Sequence, residues 1–397
     1  MARKTISIVL RRTVGAANGK GDRMEKDLEN VTMMTYVRET PEQVEKNVNR
    51  RKELVAPLVS EFLRGGYGSV LVIACGSSAN ASRCAAPFMR KYLGIPVVVT
   101  TPGAFLTSDF LPGDDTLCFV VSQSGCSTNS LAALDRLRSA GRRAVGITGN
   151  LDSDFRDHAD LVVDYGVGIE YVGYVTKGVT TLALFLMLFS LEASHDTGRL
   201  SDEGYDHVVG ELELVPERHR TVQAATEEFY SAHLKDMLSI ETNYVIGFDQ
   251  AYGIACEGAL KFGETMKVPS FAFEAEEFNH GPNLQLNPSR TVFVVDDMNL
   301  GSRRAHELYD ACRCVTDHAY LITCGDADEK DDHVFVANVG KVLEPTLSPL
   351  YLLPFFQIVA HHATDALGRW DDFPLMRDYK HCAPSKTEKI KDVMPLL

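Results

Sequence analysis

Glu257, Lys261 and Glu264 are spaced four and then three positions apart in EGALKFGE, and His280 follows in EEFNHGP. On a helix, positions i, i+4 and i+7 put carboxylate, ammonium and carboxylate on one face. A carboxylate and an imidazole make an acid/base pair that can open a sugar ring and move a proton between adjacent carbons of the open chain. That transfer requires neither metal nor cofactor. The same residues would also suit a solvated charged stripe running into an acidic loop. Against that reading, Gly253, Ala255, Gly258, Ala259 and Gly263 crowd around the stripe, so a close approach to this helix is expected. Pro269 is expected to end the helix, with FAFEAEEF returning as a loop to His280-Gly281-Pro282. His361 and His362, inside LLPFFQIVAHHATDAL, read as packed histidines.

A second set of residues suits an anion. Cys75-Gly76-Ser77-Ser78 and Ser122-Gln123-Ser124-Gly125-Cys126-Ser127-Thr128 each fall between an apolar run and a helical pattern. At the carboxyl ends of neighbouring parallel strands such loops share one crevice, where helix amino termini expose unpaired N–H groups. Small side chains let the backbone close on phosphate oxygens while hydroxyls add hydrogen bonds, which suits a sugar phosphate. Serine and threonine there also cap helices; two such loops at one sheet edge favour the cradle. Neither loop has the dinucleotide or nucleoside-triphosphate glycine pattern. Cys126 reads as a small residue in a tight turn.

The elements that must hold these residues alternate. Thr40 to Leu63 has a Thr-x-x-Gln start, Pro41 at the first helical position and an interruption at Pro57, so one or two surface helices are expected. A buried strand follows at Ser69–Ala74, then a helix closing at Gly94, and the strand–loop–helix plan repeats through TLCFVVSQSGCSTNSLAALDRLRSAG and RAVGITGN. After the polar stretch His195 to Glu228 the plan restarts at NYVIGFDQAYGIACEGALKF, a pseudo-repeat of roughly 160 to 170 residues. The expected architecture is α/β, two doubly wound parallel-sheet domains in tandem: 34–195 binding phosphate, linker helices over 196–235, 236–368 carrying the acid/base residues, and a tail over 369–397. Residues 1–33 read as a flexible extension or an over-extended start, since Met24, Met33 and Met34 all precede the first clear helix. The halves differ at matching places, because Asp296-Asp297-Met298-Asn299 would repel an anion.

Composition narrows the partners. A formal charge of −14 without a long basic stripe gives no electrostatic reason to bind nucleic acid or an anionic membrane. Nine cysteines without a paired framework fit a reduced cytoplasmic protein with no zinc site. The most apolar run, Leu182 to Leu191, is about half a membrane span and reads as a core helix.

Taken together, ACGSSAN, SQSGCS, GIEYVGYVTKGVTTL, EGALKFGE, EEFNHGP and PLYLLPFFQIVAHHATDALGRWDDFP resemble, in order from about Met34 to Pro374, the tandem sugar-isomerase (SIS) domains of glucosamine-6-phosphate synthase. That resemblance implies that Cys75, Gly76, Ser77 and Ser78 with Ser122, Gln123, Ser124 and Ser127 surround the phosphate. It implies that Glu264 shuttles the proton between C1 and C2, that His280 opens the ring, that Lys261 lines the site and that Glu257 is structural. Because the family histidine reaches the neighbouring subunit, it also implies a homodimer with a shared active site. Two features depart from the family. The glutaminase part is not expected, so ammonia from glutamine is not the expected amine. The tail lysine that forms a Schiff base in the synthase and its deaminase relatives falls at Tyr379, or at Lys380 with one insertion. A tandem SIS chain of this kind is similar to deglycases of 6-phosphorylated Amadori compounds. The expected reaction is release of glucose 6-phosphate and a free amine, with glucosamine-6-phosphate deaminase or isomerase as the alternative. A sugar-phosphate-binding regulator without chemistry is the alternative of another class.

Overall fold

In the computed structural model, which describes residues 31–109, 111–168, 170–325 and 331–393, the chain forms two parallel five-stranded sheets. The first contains β1 (Ser69–Ala74), β2 (Val97–Thr100), β3 (Thr116–Val121), β4 (Ala144–Thr148) and β5 (Leu161–Asp164), in the order β2-β1-β3-β4-β5. The second contains β6 (Asn243–Gly247), β7 (Ser270–Glu274), β8 (Thr291–Val295), β9 (Ala319–Thr323) and β10 (Val334–Val336), in the order β10-β9-β8-β6-β7. Read from β7, the second order repeats the first, so the internal repetition in the sequence is a repetition of topology. Helices cover both faces of each sheet, which is why the central strands are continuous apolar runs; β4, β6, β8 and β9 are buried at every residue. Such a sheet has its ligand crevice where the strand order reverses, between β1 and β3 in the first half and between β6 and β8 in the second.

The longer helices are α1 (Met33–Asn49), α2 (Arg51–Gly65), α3 (Gly76–Leu93), α4 (Thr128–Ser139), α5 (Lys177–Asp196), α6 (Asp202–Glu213), α7 (Val215–Ala232), α8 (Asp249–Lys261), α9 (Ser302–Arg313) and α10 (Pro349–Ala366). By length and composition α5 could cross a membrane, yet every residue from Lys177 to Ser194 is buried within the fold, as a core helix should be. The largest apolar cluster runs from α2 and α5 through α7 to α8 and α10, so one continuous core joins the two sheets. The stretch expected as linkers over 196–235 forms α6 and α7, and α7 buries Arg218 and His219 as well as its apolar face.

The amino-terminal helix departs from expectation. It starts at Met33, where the Thr35 hydroxyl accepts from the Thr32 N–H at 3.1 Å, so Pro41 lies inside it and Thr40 bonds back to the Tyr36 carbonyl. The break with α2 falls at Arg50, and Pro57 is carried within α2. As an amphipathic surface helix, α1 leaves Arg38, Glu39, Glu42, Glu45 and Lys46 exposed and buries Tyr36, Val37, Val44 and Val48, and polar residues at its inner face reach the loop after β5. Gln43 and Asn47 donate to the Gly166 carbonyl at 2.7 and 3.0 Å, and the Tyr36 hydroxyl accepts from the Tyr171 N–H at 2.7 Å. Periodicity shows that a face is buried, and partners 120 residues away determine what buries it. Of the extension expected over 1–33, residues 1–30 lie outside the described residues.

The small residues of α8 have their explanation in packing. Methyl groups built at Gly253 and Gly258 would meet the Cys84 backbone N at 2.5 Å and the Phe356 ring at 2.7 Å, so α3 and α10 are the close neighbours. A Gly253→Ala change is therefore expected to force α3 and α8 apart. The overpacking, about 1–3 kcal/mol, exceeds the roughly 0.5–1 kcal/mol that alanine returns in a helix. Gly263→Ala, whose added methyl would meet only the Val268 carbonyl at 3.9 Å, is expected to be neutral or mildly stabilising. Thermal or urea unfolding midpoints of the two variants check this; equal shifts would contradict the packing argument.

Candidate active site

The switch point of the first sheet opens into a cavity of about 300 Å³, within the range of small-ligand pockets. Its floor is the two loops singled out in the sequence. Cys75, Gly76, Ser77 and Ser78 enter α3, and Ser122, Gln123, Ser124 and Ser127 lead to α4 with Asn129 and Ser130. Gly76 and Gly125 hold left-handed backbone, with φ of +56° and +63°; at Gly125 a methyl would also strike the Ser153 hydroxyl. The serines are not spent on capping. Neither Cys75 nor Ser127, the residues preceding α3 and α4, makes a side-chain cap; the Ser127 hydroxyl instead lies 3.0 Å from that of Ser122. Burial raises the Cys126 thiol pKa, consistent with its role as a small buried residue rather than a nucleophile.

Two further segments close the cavity. Val172, Gly173 and Val175 come from the loop after β5, and Ser385, Lys386 and Ile390 from the tail. The tail docks as a short antiparallel strap. Thr128 N–H donates to the Ser385 carbonyl at 3.1 Å and Thr387 N–H to the Cys126 carbonyl at 2.9 Å, flanking the Ser127–Lys386 bridge. The Lys386 ammonium consequently lies in the serine cradle, 3.2 Å from the Ser124 hydroxyl and 2.8 Å from that of Ser127. Lys386 as a residue is exposed, but the partial loss of water around its ammonium in the cradle lowers its pKa, only partly opposed by Cys126 and Cys75. The tail lysine was sought in the sequence at Tyr379 or Lys380. Both sit on the exposed helix Met376–Cys382, and Lys380 pairs with Asp372 at 2.9 Å outside the cavity. Lys386 is not among the residues expected from the sequence, because its place in the cavity rests on backbone bonds to Cys126 and Thr128, and the small-residue turn Ala383-Pro384-Ser385 before it is only a weak signal.

The acidic helix abuts this cavity from the second half without lining it: neither Glu264 nor Lys261 is among the lining residues, and Lys261, expected to line the site, stands behind Ser77 instead. α8 gives way at Phe262 to one π-helical turn, Phe262–Met266, and left-handed Lys267 ends it, three residues before the strand β7 that replaces the expected acidic loop. Pro269 lies beyond the helix end. Such π turns recur at functional sites because they shift one side chain out of helical register. Lys261 is fully buried, with its ammonium 3.0 Å from Glu257 and 2.5 Å from Glu264. Glu257, also fully buried, accepts from Ser77 Oγ at 3.0 Å and Asn80 Nδ2 at 2.9 Å, so it bridges α8 to the start of α3. Burial opposes the Lys261 charge, but Glu257 and Glu264 outweigh it and hold its pKa above the usual range. Glu264 is about one quarter exposed; burial raises its pKa and Lys261 only partly restrains it, leaving it more basic than an ordinary glutamate. Ser77, which lines the cavity and lies 3.5 Å from Lys261, connects the acidic cluster to the phosphate cradle.

His280 is placed differently. It caps the short helix Ala275–Asn279, is exposed, and is not among the residues lining the cavity. The histidine pair fits a packing role: His361 faces Trp370, and burial lowers its pKa to about 4. At the second switch point Asp296 accepts from Met298 N–H and Thr323 Oγ1 at 2.8 Å each, and Asp297 from Asn299 N–H and Gly301 N–H, so these carboxylates occupy the donors an anion would need.

Comparisons with known proteins agree with this architecture. Residues 67–191 match the family model for the SIS domain. A glutamine--fructose-6-phosphate aminotransferase [isomerizing] from Aeropyrum pernix is 27% identical over 349 residues, covering 86% of this chain and 55% of its own; the chain thus spans about half the length of that relative. Among solved structures, a Clostridium difficile protein provisionally designated a phosphosugar isomerase superimposes with a TM-score of 0.81 at 21% identity, covering 90% of this chain and 99% of its own. The C-terminal domain of glucosamine-fructose-6-phosphate aminotransferase from Francisella tularensis gives 0.74 at 20% identity, covering 87% and 98%. Residues 67–191 match the SIS domain, and the chain as a whole has a tandem fold similar to that of the isomerase part of glutamine--fructose-6-phosphate aminotransferase.

Proposed function

We propose that this protein is a sugar-phosphate enzyme that cleaves 6-phosphorylated Amadori compounds into glucose 6-phosphate and a free amine or amino acid. The observation behind this reading is the link from the serine cradle through Ser77 to the Glu257–Lys261–Glu264 cluster, which sets a basic carboxylate beside a phosphate-sized cavity. The cradle hydroxyls and the amino ends of α3 and α4 hold the 6-phosphate. Lys386, which donates to Ser124 and Ser127, supplies positive charge there and leaves the hydroxyl hydrogens for phosphate oxygens. Glu264 removes a proton from C1 of the open-chain ketosamine, forming the enaminol, and a proton returned at C2 gives the aldose imine. Water adds to C1 of the imine, and the C1–N bond breaks to release the amine. Because the amine is already in the substrate, the enzyme need not supply one. His280, exposed in the single chain, serves ring opening from a second copy in a homodimer, so that each active site is shared.

A second reading rests on Lys386. An amine with a lowered pKa can attack a sugar carbonyl, as a glucosamine-6-phosphate deaminase or isomerase using an imine would require. Borohydride trapping with substrate present separates the two. As a phosphate counter-ion, Lys386→Ala should raise KM about tenfold or more with a smaller change in kcat and no trapped adduct. As an imine-former, it should lose a trappable adduct together with kcat. Lys380→Ala is expected to leave both constants unchanged under either reading.

The direct test is a panel of phosphorylated Amadori compounds alongside glucosamine 6-phosphate, with released hexose phosphate and amine measured together. Glu264→Gln is expected to lower kcat about 10²–10⁴-fold while substrate binding changes little; retained turnover would reject Glu264 as the base. The pH dependence follows from the raised Glu264 pKa. A base works when deprotonated, so kcat/KM is expected to fall as pH drops through that pKa, with an inflection above the ordinary glutamate value of 4.5. An inflection at or below 4.5 would contradict the burial argument.

A further inference from the structure

The sugar-phosphate reading assigns no work to Glu170, the most heavily hydrogen-bonded carboxylate near the cavity. It is 5% exposed and accepts four N–H groups: Gln123 Nε2 at 2.8 Å, and the backbone N–H of Thr176, Lys177 and Gly178 at 2.7, 2.8 and 3.2 Å. Four donors converging on one side chain require a carboxylate, since only its two oxygens offer enough lone pairs. Burial raises the pKa of Glu170, and the four donors oppose that shift.

We infer that Glu170 is the positioning residue of the phosphate site, acting through Gln123 and through the loop Tyr171–Val175. Two consequences follow from its contacts. First, it fixes the carboxamide of Gln123. With one N–H given to Glu170 and Oε1 buried without a partner against Gly178, where a methyl would come within 2.3 Å, the amide has one orientation and one N–H left for a ligand oxygen. Second, it ties the cavity rim, Val172, Gly173 and Val175, to the first turn of α5. The opposite side of that rim is held by α1 and α10. The Tyr36 hydroxyl accepts from the Tyr171 N–H at 2.7 Å, and Gln357 Nε2 donates to the Thr176 carbonyl at 2.9 Å. One buried carboxylate therefore sets both a cradle donor and the rim that excludes water from the bound phosphate end.

This inference rests on the sugar-phosphate reading, and its test separates the two. Glucose 6-phosphate binding to the full chain is measured by calorimetry, with KM and kcat on the panel substrate, for wild type, Glu170→Gln, Gln123→Ala and the double variant. In Glu170→Gln an amide NH₂ faces the donors that the carboxylate accepted. Binding is expected to weaken and KM to rise about tenfold to a hundredfold, with kcat changed less than about threefold. The effects of the two single changes should be less than multiplicative. If Glu170→Gln does not fold, Glu170→Asp, which keeps the charge but draws back from Gln123, is read in its place and should raise KM in the same direction. Unchanged KM and affinity, or single effects that simply multiply, overturn the inference while wild-type binding upholds the reading. Wild type that binds no glucose 6-phosphate overturns the reading and the inference with it.

Discussion

The structure turns on one fully buried ammonium. Lys261 lies between Glu257 and Glu264 with no solvent contact, and removing a cation from water is tolerated only because two carboxylates meet it and Ser77 and Asn80 satisfy Glu257 in turn. A buried pair of this kind adds little net stability compared with apolar packing, but losing either partner leaves an uncompensated charge worth about 3–5 kcal/mol. What the cluster secures is position. It fastens the end of α8, from the second half, to the loop entering α3, from the first, and presents Glu264 from that junction. Burial raises the affinity of Glu264 for a proton, and Lys261, shared with Glu257, only partly restrains it.

The two halves repeat one topology and use it unequally. The first leaves its switch point open, with serine hydroxyls turned into the crevice. The second fills its own with Asp296 and Asp297, whose oxygens take the N–H and hydroxyl donors around them. A carboxylate there takes, within the chain, the donors that an anionic ligand would otherwise take. The second half is thereby free to contribute through the end of a helix rather than through its crevice, and the close α3–α8 contact at Gly253 brings that end within reach.

The cavity is completed by segments far from the sheet edge in sequence. The strap carrying Lys386 is held to Cys126 and Thr128 by backbone bonds, and the rim loop hangs from Glu170, Tyr36 and Gln357. Desolvation shifts the charged groups here in opposite senses, Lys386 toward the neutral amine and Glu264 toward the protonated acid. Each shift follows from the same loss of water.

Local pattern was enough for much of this. Apolar runs bounded by small residues marked β1, β3, β4 and β6, serine-rich loops between strand and helix marked the cradle, and the four- and three-residue spacing put Lys261 between its carboxylates. Those signals are local because strand burial, helix periodicity and loop chemistry act over a few residues. β7, expected as a loop, is five residues long with no fully buried position; it is an edge strand with one neighbour, so pairing with β6, not burial, makes it a strand. The place of α1, the position of Lys386 and the work of Glu170 depend on partners across the chain: Gly166, Ser127 and Gln123 lie 119, 259 and 47 positions away. Contacts at such separations leave no periodic trace, because they exist only once packing has brought distant backbone together, and it was packing that joined two serine loops, a rim loop and the tail strap into one cavity and set the acidic helix behind Ser77.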